Sequence, residues 1–95
     1  MSIELIDFDL AEILDSDEAI AEYLSQVLAD GDSDELLRAI GYIAKAQGMA
    51  HIAKTAGLSR ESLYKSLAVG AKPRFDTILK VIQALNIELK ALPAH

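Results

Sequence analysis

The stretch MAHIAKTAGLSRESLYKSL, Met49 to Leu67, decides how this chain is read. Two short apolar-patterned segments meet at Ala56-Gly57-Leu58-Ser59, with almost no room for a loop. A helix-turn-helix needs a small residue where its helices cross, a turn residue that tolerates positive φ, and apolar residues that fix the crossing. Ala53 meets the first need and Gly57 the second, while Ile52, Ala56, Leu58, Leu63 and Leu67 supply the third. Ser59 is placed to cap the following helix, and Glu61 lies in the first turn, where the helix dipole favours a carboxylate. Ser66 falls where many such motifs carry an apolar residue, and the neighbouring Leu67 can take that place.

Leu63 and Leu67 define the inward face of the second helix, so at 100° per residue Glu61, Tyr64, Lys65 and Ala68 turn outward. An outward helix of this kind fits the major groove, its N-terminal side chains at base edges. The candidate reading residues are Ser59, Arg60, Glu61, Tyr64 and Lys65. Arg60 suits a guanine or a phosphate, Glu61 a cytosine amine, and Tyr64 a phosphate or a thymine methyl. Lys54, Lys72 and Arg74 are candidates for the phosphate backbone.

Upstream, Asp15 and Glu18 have capping-box spacing, and Ile20, Tyr23, Leu24, Val27 and Leu28 follow as one helical stripe up to Asp30-Gly31. Asp32 and Glu35 repeat the signal before Leu36, Leu37, Ile40, Ile43 and Ala44, with a stop at Gln47-Gly48. Downstream, Ala71-Lys72-Pro73-Arg74 interrupts the pattern ahead of a fifth helix carrying Phe75, Ile78, Leu79, Ile82 and Leu85. Phe8, Tyr23 and Phe75 are read as core aromatics, and Tyr42 as core edge or interface. After Asn86 the apolar period changes from 3.6 to 2, with Ile87, Leu89 and Ala91 alternating up to Pro93, which reads as a short strand. Its possible partners are the Ile3–Ile6 run, another protein, or the same strand of a second subunit, where Glu88 would face Lys90. The expected fold is all-α with five helices and a C-terminal β-strand. It forms one domain, 1–95, made of an acidic hairpin (1–48), a helix-turn-helix core (49–86) and a strand (87–92).

The net charge of −6 hides an asymmetry. Residues 1–48 hold twelve acids against Arg38 and Lys45; residues 49–95 hold seven cations against three acids. Opposite fields on the two halves point to different partners. With no cysteine there is neither a disulfide framework nor a thiolate metal site, as suits a cytoplasmic protein. No basic leader or membrane-length apolar run is present in the sequence. His51 has no second ligand nearby, the carboxylates lack a paired base or nucleophile, and the glycines are scattered singly. The reading is therefore against an enzyme and against a cofactor, a metal or a small-molecule ligand.

Nearly the whole sequence resembles the probable addiction module antidote family of antitoxins. The resemblance is carried by FDLAEILDSDEAIAEYL, LADGD, AIGYIAKAQGM, IAKTAGLSRESLYKSL and KPRFDTILKVIQALNIEL. It implies a lambda-repressor-like DNA-binding fold and a cytoplasmic, dimeric antitoxin that binds operator DNA, represses its own operon and neutralises a RelE/ParE-like toxin. Such toxins act on polyanionic targets, so the acidic hairpin, through Asp15, Asp17, Glu18 and Glu22, is the expected toxin-facing surface. Ile87, Leu89 and Ala91 are the expected dimer or partner strand. The alternative is an antitoxin that works through protein contacts alone, its helix-turn-helix being structural.

Overall fold

Three of the five helices open on a side-chain cap in the computed structural model, which describes residues 16–94. Ser16 accepts the Ala19 N–H on its Oγ at 3.1 Å and opens α1, Asp17–Asp30. The capping residue is thus Ser16; Asp15 lies outside the described residues. Asp32 Oδ1 accepts the N–H groups of Asp34 and Glu35 at 3.0 and 3.2 Å and opens α2, Ser33–Gln47. Gly48 alone separates α2 from α3, Met49–Ala56; α4, Arg60–Ser66, and α5, Phe75–Ala84, complete the order. These five helices, and no strand, make up the regular structure of the described residues.

Helix α3 is the hub. It packs against α2, α4 and α5, and α1 packs on α2. The core takes Ile20, Leu24 and Val27 from α1, five residues of α2 around Ile40 and Ile43, Ile52 and its neighbours from α3, Leu63 from α4, and Ile78, Val81 and Ile82 from α5. No described polar or charged residue is buried, so the core is held by apolar burial without polar networks to satisfy. Tyr23 is half-buried at its edge. Burial pushes its phenol above the usual tyrosine range, the nearby Glu35 and Tyr42 add to the rise, and Arg38 opposes it.

Three expectations need correction. Phe75 is 71% exposed and not a core residue; as the first residue of α5 it borders an open apolar groove with Leu28, Pro73 and Leu89, while the inward stripe begins one turn later at Ile78. Leu28, expected on the buried stripe of α1, is exposed over the same groove, whereas Val81, absent from the sequence reading, is fully buried. The strand expected at 87–92 does not form among the described residues. Ile87 is instead spent on closing α5: its N–H donates to the Ile82 carbonyl at 3.3 Å, and Asn86, at φ 69°, donates its N–H to Gln83 at 3.0 Å. This is a Schellman closure with asparagine in the left-handed position, and it folds Ile87 into the core at 9% exposure. Ile87 is therefore unavailable to a partner strand; Leu89 and Ala91 remain exposed without ladder partners. Phe8 and the Ile3–Ile6 run lie outside the described residues.

Candidate nucleic-acid interface

The tight corner between α3 and α4 is a second Schellman closure. Gly57, at φ 76°, donates its N–H to the Lys54 carbonyl at 3.2 Å, and Leu58 donates to Ala53 at 2.8 Å. Leu58 packs against the core, as the apolar residue after such a closure does. Two residues then suffice to start α4, because the Ser59 Oγ accepts the Ser62 N–H at 3.0 Å. A Cβ at Gly57 would meet no atom within 4 Å, so only the positive φ asks for glycine. Gly57→Ala is accordingly expected to cost about 1–2 kcal/mol, read as a lower urea midpoint at unchanged slope. A midpoint equal to that of the parent chain would contradict this account of the corner.

With the corner fixed, α4 has one inward anchor. Leu63 is fully buried, and Ser66 and Leu67 are half-buried behind it. Ser59, Arg60, Glu61, Tyr64 and Lys65 are all exposed, with Tyr64 at 44%. The Arg60 guanidinium lies 5.7 Å from the centre of the Tyr64 ring, one helical turn on, a cation–π contact that holds both along the outer face. Lys54 and Lys72 are exposed as well. Arg74 differs, since its Nε is 3.3 Å from Asp76 Oδ1 in an exposed pair. Such a pair is weak and open to exchange for a phosphate.

The structure brings three further side chains to this side. Arg38, Tyr42 and Lys45 are spaced i, i+4 and i+7, which puts them on one face of α2. That face lines a groove of about 440 Å³ whose other wall includes Tyr64 and Val69. By sequence alone Arg38 and Lys45 stand out only as the two cations of an acidic half. Their spacing was the available signal.

The acidic surface is on α1. Asp17, Glu18 and Glu22 are exposed there, but they are not equivalent. Asp17 Oδ2 accepts from Asn86 Nδ2 at 3.0 Å, tying the start of α1 to the closure of α5, and Glu22 accepts from Gln26 within α1 at 3.1 Å. Among the described residues no group of carboxylates and histidines is placed to hold a metal, and no helix is long and apolar enough to cross a membrane.

No solved structure matches the chain. A curated relative from Haemophilus influenzae is 44% identical over 90 residues, spanning 95% of this chain and 93% of its own; it is described as an uncharacterized protein. The profile of the probable addiction module antidote protein family matches residues 4–93. Taken with this all-helical architecture, that match says what the chain is: it belongs to the probable addiction module antidote family, the antitoxins of toxin–antitoxin modules, which have a toxin partner and are not enzymes.

Proposed function

We propose that this antitoxin is a cytoplasmic homodimer that binds operator DNA through α4, represses its own operon and neutralises a toxin of the RelE/ParE-like superfamily. One observation carries the DNA reading. The α3–α4 corner turns Arg60, Glu61, Tyr64 and Lys65 into solvent, unobstructed by the rest of the described chain. A helix so presented enters the major groove from its N-terminal end. Ser59, Arg60, Glu61, Tyr64 and Lys65 read bases or hold phosphates, and Lys54, Lys72 and Arg74 hold the backbone. Two-fold symmetry would place two such helices about 34 Å apart on a palindromic site. The test is direct titration of the full chain against a duplex from its own promoter and an unrelated duplex of equal length. Tighter binding to the promoter, weakening steeply with salt, is expected. Equal, negligible binding to both would leave an antitoxin that acts through protein contacts alone.

The toxin contact is assigned to the acidic face of α1, where Glu18 and Glu22 present uncompensated charge to a basic toxin. Asp15, from the same acidic run, belongs to that proposal although it lies outside the described residues. Reversing Glu18 and Glu22 to lysine is expected to slow association with the toxin about tenfold or more at low salt, and to leave promoter binding intact. Stopped-flow association rates measure this; rates equal to those of the parent chain would remove α1 from the contact. Asp17 is left out of this test because its carboxylate also holds Asn86.

A further inference from the structure

We infer that the groove between α2 and α4 is a second seat for the DNA backbone, with Arg38 and Lys45 as phosphate-binding residues and Tyr42 between them. This inference rests on the DNA reading above and extends the interface from the reading helix to a helix of the acidic half. The first observation is charge. The chain has 15 acids and 9 cations, yet this groove is lined by two cations and no acid. Arg38 and Lys45 are also the only cations of residues 1–48, so both cations of the acidic half converge on the face nearest the reading helix. Both are exposed, and neither makes an ion pair among the described residues.

The second observation is continuity. Tyr64, a candidate reading residue on α4, forms part of the same groove, so a strand whose bases meet α4 would carry its phosphates alongside α2. Tyr42, 39% exposed, adds a hydroxyl donor of the type that binds phosphate oxygens.

The third is Gly41, which also lines the groove. It stands inside α2 without a positive φ, and a Cβ there would meet nothing within 4 Å. Nothing within the fold asks for glycine at a position where alanine favours a helix. A surface that must let another backbone approach closely does ask for it. The occupant is nucleic acid rather than the toxin because the sign of the charge is wrong for a basic toxin, which the face of α1 suits.

The test uses the full-length chain with Arg38→Gln, Lys45→Gln, both together, and Gly41→Gln, alongside Arg60→Ala, on promoter and unrelated duplexes across a salt series. Each charge removal should lower the salt slope by about 0.9 and weaken binding to both duplexes alike. For the double variant, the deficit against the parent chain should shrink about tenfold between about 50 and about 200 mM salt. Gly41→Gln should raise the melting temperature by a few degrees, since a good helix former replaces glycine, and yet weaken binding. A purely structural glycine would not give that pair of opposite effects. If Arg60→Ala weakens binding but the Arg38, Lys45 and Gly41 variants bind with the parent slope and affinity, the groove is not a DNA seat and the reading of α4 stands. Loss of toxin binding in those variants with unchanged duplex binding makes the groove a protein contact and overturns the inference. If the parent chain binds neither duplex, the DNA reading and this extension fall together.

Discussion

Replacing Arg60 by alanine is expected to weaken binding to the promoter duplex by about 5- to 150-fold, the range of one well-made base or charge-assisted contact at about 1–3 kcal/mol. The expectation rests on placement. Arg60 is the first residue of α4, exposed, and aligned along the outer face by the ring of Tyr64. Its removal leaves the cap intact, because Ser59 and Ser62 make that bond. The salt series separates the two chemistries open to a guanidinium. A bidentate contact to guanine gives a loss specific to the promoter, with discrimination between duplexes collapsing; a phosphate contact weakens both duplexes and lowers the slope by about 0.9. Fluorescence anisotropy with the two duplexes at two salt concentrations reads all of this. An Arg60→Ala chain indistinguishable from its parent in every condition would take α4 out of the groove.

Leu63→Ala is expected to destabilise the domain by about 2–5 kcal/mol, the usual cost of truncating a buried leucine when its surroundings cannot collapse. For a domain of this size, that lowers the melting temperature by roughly 10–30 °C. Leu63 is the one buried residue of α4, at 0% exposure, so the variant also loses the anchor that orients α4. Thermal unfolding followed by circular dichroism gives the shift. A loss below about 1 kcal/mol would mean that α4 is held by its flanking turns, and the account of its docking would need replacing.

Much of this fold can be read from residue types because its boundaries are set by local chemistry. Asp32, Gly57 and Ser59 mark their helix ends through bonds to backbone groups within a few positions, and the spacing of Leu24, Ile40 and Ile43 follows from facing a common core. The errors fall where a residue's fate depended on something distant. Phe75 has the right spacing for the inward stripe of α5, but no neighbour closes over the first turn. Ile87 alternates with Glu88 and Leu89 as a strand residue would, yet Asn86 takes a left-handed conformation and turns it back onto Ile82. Asparagine tolerates that conformation better than most residues, so the closure was available to a closer reading of Asn86-Ile87. For the site, the outward set on α4 followed from helical geometry around Leu63. The pairing of Arg38 and Lys45 with Tyr64 did not, because it joins residues more than a helix apart in the chain and exists only once α2 lies beside α4.

On the proposed operator-binding role, the placement of α3 ties release of DNA to unfolding. An eight-residue helix is too short to persist alone in water, and α3 touches α2, α4 and α5 at once. The segment that would grip DNA is hinged directly onto it. Opening the domain around α3 therefore loosens the support of α4 together with the core. If the proposed operator binding is met, a protease that captures the opened chain would also free the operator, and the two losses would share one rate.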